Sequence, residues 1–261
     1  MTTADQPSQP ATPGSATSSA APTEDALEAV QRHLLHEEQQ LLGQTISVTD
    51  EQWREPSLLA GWSRGHVATH IARQADGMRR LTEGVLAGVP GTMYDSREAR
   101  AEAIEHGSGR TGLEIQTDLD TSAGALRSSL AEVAAADLWD SPVHASDDTE
   151  FPARLLPLGR LTEVALHHID LDLGTTADDL DPDLATWLLE WITFRLGPRV
   201  EHPFRISLAT PDGAPSMINL GDVGENDPVI SGTPQTLVGW LSGRAVRNPL
   251  DGADLITPPA L

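Results

Sequence analysis

Apolar residues return at helical intervals from Asp25 to about Thr175, and that sustained period confines this stretch to packed helices. Leu27, Val30, Leu34 and Leu41 mark the first helix. Thr49 or Asp50 can cap a short helix that carries Trp53. Gly61-Trp62-Ser63 opens a long helix, with Ser63 as its N-cap, that ends near Gly88 and Pro90. Helices over about Ser96–Glu105 and about Leu113–Ala136 follow. Residues 140–158 are rich in Pro, Asp and Ser and read as a loop. A last helix runs from about Leu158 to Leu173 and stops at Gly174. Four main helices with fairly long connections predict a helix bundle.

The character changes after Asp178. Residues 182–197 form a helix rich in Trp and Leu, and Phe204, Ile206 and Leu208 alternate with Arg205 and Ser207 as a strand does. Pro211-Asp212-Gly213 is a turn, Ser216 to Leu220 a second strand, and Pro228 to Ser231 a short third. Residues 234–243 close the chain with a helix that delivers Arg244. The expected fold class is therefore α+β in two domains, a bundle over 25–178 and a small α+β domain over 179–261. Residues 1–24 contain no Leu, Ile, Val, Phe or Trp, too little apolar surface to offset the entropy of ordering, and are expected to be a disordered tail. That tail has no basic start and no apolar stretch, so it does not read as a secretory signal. No apolar run approaches the roughly 18 residues that span a bilayer, and the default compartment is the cytoplasm.

Composition narrows the chemistry. The chain has 261 residues, with 39 acidic against 17 basic side chains and a formal charge of −22. Such a balance argues against polyanionic nucleic acid and against an anionic membrane surface. There is no cysteine, and all the basic residues are arginine. Disulfides, thiolate ligands, a cysteine nucleophile and lysine Schiff bases are excluded. The remaining reactive groups are His, Asp, Glu, Ser, Thr, Tyr and Arg.

Two helices carry the informative histidines. On the long helix, Ile71, Met78, Leu81 and Val85 fall within about 40° of Val67 and define the buried face, with His70 about 60° and His66 about 100° from its centre. His70 is the better interior ligand, or else a core-edge histidine satisfied by a hydrogen bond. On the last helix, His167 lies about 40°, Arg160 about 60° and Asp170 about 20° from Glu163. This polar stripe has Val164 and Leu171 on one side and Leu166 and Leu173 on the other, as if it pointed into the bundle. Buried charge is costly unless it is paired or bound to metal. Glu163 and His167 stand one turn apart, and His70 completes a His₂Glu set with one open position, the pattern of a catalytic zinc site. A buried Glu–Arg or Glu–His pair without metal explains the same residues.

The stretch Gly61-Trp62-Ser63-Arg64-Gly65-His66-Val67-Ala68-Thr69-His70 resembles the signature of mycothiol-dependent maleylpyruvate isomerases, which are DinB-like metal-binding four-helix bundles. Tyr94-Asp95-Ser96-Arg97-Glu98-Ala99-Arg100, Ile104-Glu105-His106-Gly107, Trp139 and Val143 follow in the family's order. The strongest match is Arg160-Leu161-Thr162-Glu163-Val164-Ala165-Leu166-His167-His168-Ile169-Asp170-Leu171. The resemblance covers about 26–175. Residues 180–261 fit more loosely a small sterol-carrier-protein-like domain.

The resemblance implies a divalent metal, expected to be zinc, on His70, Glu163 and His167, the three residues the helical angles select. His66 and His168 would then be supporting or packing residues. Arg160 reads as a partner of Glu163, or else as a residue that reaches the site itself. It also implies a small-molecule thiol, mycothiol, in place of the missing cysteine. The thiolate would add to the cis double bond of maleylpyruvate, the adduct would rotate about the resulting single bond, and elimination would give the trans product. Arg244 resembles a family position and is expected to contact an anionic substrate. The partners are a low-molecular-weight thiol and a small electrophile. Alternative readings are a thiol S-transferase acting on another electrophile, a non-catalytic metal-binding protein in which His66 supplies a fourth ligand, and hydrolysis by a metal-activated water.

Overall fold

Side-chain caps set where the helices of the N-terminal part begin. The hydroxyls of Thr49, Ser63, Ser96 and Thr111 each accept a hydrogen bond from the backbone N–H three residues on, which satisfies one of the free donors at a helix start. The computed structural model describes residues 24–144, 150–208, 216–248 and 250–259. The expected disordered tail, apart from Glu24, and the expected turn at Pro211-Asp212-Gly213 lie outside the described residues.

The N-terminal part contains α1 (Glu24–Thr45), α2 (Asp50–Arg54), α3 (Arg64–Ala87), α4 (Arg97–Ser108), α5 (Gly112–Ala135) and α6 (Leu156–Asp170). Helix α3 packs on α5 and α6, and α1 packs on α6 and α5, so these four make the bundle while α4 lies against α3. The apolar positions read from the sequence line its core, including Leu27, Val30, Leu34 and Leu41 from α1 and Val67 and Ile71 from α3. Gly65 allows the start of α3 to approach the end of α4, because a Cβ there would stand 2.5 Å from the Ser108 carbonyl oxygen.

The stretch before and through the last bundle helix differs from expectation. Helix α6 starts at Leu156 and ends at Asp170, and Gly174 adopts its positive φ of 103° beyond the helix. The expected loop over 140–158 contains two short antiparallel strands, β1 (Pro142–His144) and β2 (Glu150–Pro152), with Val143 opposite Phe151. Strands of three residues carry too little alternation to register in a sequence pattern. What stabilises them is Val143, buried in a cluster with Met78, Leu126 and Leu130.

The C-terminal part contains α7 (Pro182–Leu196), β3 (Phe204–Leu208), β4 (Ser216–Leu220), β5 (Val229–Gly232) and α8 (Pro234–Leu241). Its sheet has the order β4-β3-β5, with β3 antiparallel to β4 and parallel to β5. Phe204, Ile206 and Leu208 are buried and alternate with half-buried Arg205 and Ser207, which is the period of two. The fold is thus a helical bundle followed by a small α+β region. Leu161 and Leu171 of the first part share one core with Leu184, Leu188, Phe204 and Ile206 of the second, so apolar packing runs across the expected division. Among the described residues no helix is long and apolar enough to cross a membrane.

Candidate metal centre

His70, Glu163 and His167 converge where α3 meets α6. The capping box at Ser63 fixes the start of α3. Ser63 Oγ accepts from the His66 backbone N–H, and the Ser63 N–H donates to His66 Nδ1 at 3.2 Å. One turn on, His70 points inward with its side chain buried, its ring 5.7 Å from that of Trp62 in an edge-on contact. Glu163 and His167 are four residues apart on α6, which sets both over the same point.

Glu163 Oε2 lies 3.3 Å from His70 Nε2 and 3.4 Å from His167 Nε2, and the two ring nitrogens are 3.0 Å apart. Zinc bonds of about 2.0–2.2 Å in a tetrahedron separate neighbouring ligand atoms by about 3.4 Å. The triangle therefore has the size of one tetrahedral face, and two imidazoles with one carboxylate are a donor set that divalent metals take at catalytic sites. His70, Glu163 and His167 are the group among the described residues whose ligand atoms can share an ion.

The surroundings orient these donors. His167 Nδ1 lies 2.8 Å from Asp170 Oδ2. Asp170 is buried, which opposes its charge, but hydrogen bonds from His167 and Arg244 outweigh burial and hold its pKa below the usual value. An ionised carboxylate only accepts, so His167 donates from Nδ1 and leaves Nε2 facing Glu163. Burial also works against a charged His167 ring, yet the bonds to Asp170 and Glu163 raise its pKa. Desolvation opposes the charge of the half-buried Glu163, yet bonds from His167 and His70 hold its pKa well below the carboxylate range. Burial lowers the pKa of His70, and the bond to Glu163 only partly offsets that. Arg100 Nη2 stands 3.0 Å from His70 Nδ1, and a guanidinium only donates. In this arrangement His70 carries its proton on Nε2, so an ion on that nitrogen requires Arg100 to release Nδ1.

Arg244 holds Asp170 from the other side, with Nε 3.0 Å from Oδ1 and Nη2 2.6 Å from Oδ2. Its placement follows from the end of α8. The Gly243 N–H donates to Trp240 and the Arg244 N–H to Gly239 at 2.8 Å, around Gly243 at φ 75°. This left-handed step turns Arg244 back toward α6, and its side chain also lines the cavity described next.

A cavity of about 420 Å³ opens over the triad. Met78, Met93, Leu155, Leu156 and Trp191 supply its apolar wall, and Tyr94, Arg100, Arg195, Arg199 and Arg244 its polar side. Burial raises the pKa of Tyr94, and the Arg100 guanidinium lies 5.5 Å from its ring centre.

Other expected participants stand elsewhere. Arg160 is fully enclosed and bonds the Ile71 carbonyl, Gln74 and, at 3.4 Å, Glu38, not Glu163, because its side chain runs into the interior between α3 and α1. His66 meets Ser63 and, at 3.2 Å, Glu105, so it is not a fourth ligand of the triad. His168 is buried against α1 with Nε2 2.7 Å from Gln44. The sequence reading gave Asp170, Tyr94 and Arg100 no role. For Asp170 the signal was available, three residues after His167 on the same polar stripe.

The crystal structure of the mycothiol-dependent maleylpyruvate isomerase superposes with a TM-score of 0.79 and 24% identity, covering 90% of this chain and 97% of that one. The crystal structure of a histidine-to-alanine mutant of the mycothiol-dependent maleylpyruvate isomerase superposes with a TM-score of 0.78 at the same identity and coverage. At that identity the likeness speaks for the fold. No curated protein matches the chain. The profile of the mycothiol maleylpyruvate isomerase N-terminal domain matches residues 34–172, a little over half the chain and the whole of the triad. By that match the chain belongs to the mycothiol maleylpyruvate isomerase N-terminal domain family.

Proposed function

We propose that the protein is a metal-dependent enzyme that uses a low-molecular-weight thiol as nucleophile, with maleylpyruvate cis–trans isomerisation as its reaction. The triangle of His70, Glu163 and His167 beneath an open cavity carries this reading, because three protein ligands leave a position for an exchangeable one. When bound, a divalent metal, zinc by the chemistry of the donor set, lowers the pKa of a thiol and so supplies a thiolate near neutral pH. Family membership and the lack of any cysteine in the chain support mycothiol as the source of that sulfur.

The chain's own residues set up the rest. Asp170 and Arg244 fix the His167 ring so that Nε2 faces the site. Arg100 places a cation beside the triad, where a guanidinium can take a carboxylate of the substrate in a paired geometry. Arg244 reaches the same cavity, and the expected substrate contact there adds to its hold on Asp170. The apolar wall keeps water from the reacting sulfur. A free thiol pool requires a reducing compartment, which supports the cytoplasm.

A second reading, thiol S-transfer to another electrophile, is favoured by that same wall of Met78, Met93, Leu155, Leu156 and Trp191, which suits an apolar electrophile as well as it excludes water. Metal-loaded protein given maleylpyruvate is expected to turn over only with added mycothiol. Equal turnover without any thiol would sink both readings. Conjugation of a panel of electrophiles, with no isomerisation, would select the second.

A further inference from the structure

We infer that Arg195 and Arg199 form a distal anion clamp that selects electrophiles carrying a negative group at the end away from the attacked carbon; this rests on the thiol-enzyme reading above. The charge distribution around the cavity carries the inference. Acidic residues outnumber arginines 39 to 17 in the chain, yet this cavity is lined by four arginines and one carboxylate, Glu163. Glu163 is committed to the two histidines, and Arg244 already shares its donors with Asp170. Arg195 and Arg199 have no carboxylate partner and no hydrogen-bonded partner among the described residues. Elsewhere in the chain the common fate of an arginine is a carboxylate, as for Arg64, Arg73, Arg80, Arg110 and Arg127.

Arg195 is half-buried and Arg199 exposed, and both side chains line the cavity. Arg195 stands four residues after Trp191 on α7, and its guanidinium lies 6.0 Å from the centre of that indole. Trp191 is itself part of the cavity wall, so the cation rests on a surface that already faces the ligand. Arg199 follows one turn later, in the short 3-10 segment Gly197–Arg199 that extends α7. Two forked donors one turn apart on the same wall match an oxyanion that accepts from both. The triad sits on α3 and α6, whereas this pair comes from α7, so a ligand that reaches both spans the cavity. Both arginines lie outside the family-matched segment 34–172, so the clamp belongs to this chain's C-terminal part.

The test compares wild type with the R195A/R199A double variant, both metal-loaded. With maleylpyruvate and mycothiol, KM is expected to rise about tenfold to a hundredfold in the double variant, with kcat changing less than about threefold. An unchanged KM would overturn the clamp. Metal content is expected to stay equal, because neither residue touches the triad. R195K/R199K is expected to recover part of the loss, since charge remains while the fork is gone. Calorimetric titration with succinate and with inorganic phosphate separates the anion classes, and the double variant is expected to lose whichever binds. Failure of both to bind wild type, or equal binding to the variant, would also overturn it. If wild type does not act on maleylpyruvate at all, the reading of its function fails, while the titrations still decide the clamp.

Discussion

Asp170 accepts a hydrogen bond of 2.8 Å from Nδ1 of His167 and stands one turn beyond it on α6. The bond fixes which nitrogen of the ring faces the triad, and Arg244 from the C-terminal part completes it by holding both oxygens of Asp170. A candidate metal ligand is thereby tied to the small α+β region. Asp170→Asn is expected to weaken zinc binding about 10–100-fold while the fold survives, as read by competition with a chromogenic chelator. Unchanged affinity would remove Asp170 from any role in orienting the ligand.

Glu163→Gln keeps the shape of the side chain and removes its charge. Metal content, measured by elemental analysis after gel filtration, is expected to fall from about one ion per chain to a small fraction, and thiol-dependent turnover to fall with it by about a thousandfold or more. A fully loaded Glu163→Gln protein would count against the triad as a metal site.

Arg100 acts in the opposite direction on the same ion. It donates to His70 Nδ1 and places a positive charge against the site. Arg100→Met is expected to tighten zinc binding severalfold and to raise KM for an anionic substrate. Weaker metal binding in Arg100→Met would show that the arginine supports the ligand instead of competing with the ion.

The ion pair between Arg160 and Glu38 sits in the bundle interior, with 1% and 4% of the two side chains exposed. Burial lowers the pKa of Arg160, and Glu38 offsets that cost. Removing one partner strands the other. Glu38→Gln is expected to destabilise the protein by about 3–5 kcal/mol in urea unfolding, with little change in metal affinity. A loss below about 1 kcal/mol would mean that Gln74 and the Ile71 carbonyl suffice for the guanidinium.

The metal-free protein should show two pH limbs. Asp170 and Glu163 have lowered pKa values, so their contribution is present above the ordinary carboxylate pKa and is lost as pH falls through the lowered ones. His167 has a raised pKa, so its contribution is present below about 6.5 and is lost as pH rises through the raised value. Urea midpoints are expected to peak between these ranges. Asp170→Asn should flatten the acid limb and also weaken the alkaline one, since His167 loses its partner. A wild-type profile flat from acid to alkaline pH would contradict both assignments.

The sequence by itself determined the helices and the faces they bury. Leu27, Val30, Leu34 and Leu41, the capped start at Ser63 and the alternation of Phe204, Ile206 and Leu208 depend on local periods and local hydrogen bonds, which are written in neighbouring residues. It also placed Glu163 and His167 on one face, because four residues are close to one turn. Tertiary structure alone decided the rest. That Arg160 turns to Glu38, that Arg100 reaches His70, that Arg244 grips Asp170 and that β1 pairs with β2 all depend on helix crossings and strand pairing. Such contacts join residues far apart in the chain, where no local period sets a distance; the packing of the whole core fixes them.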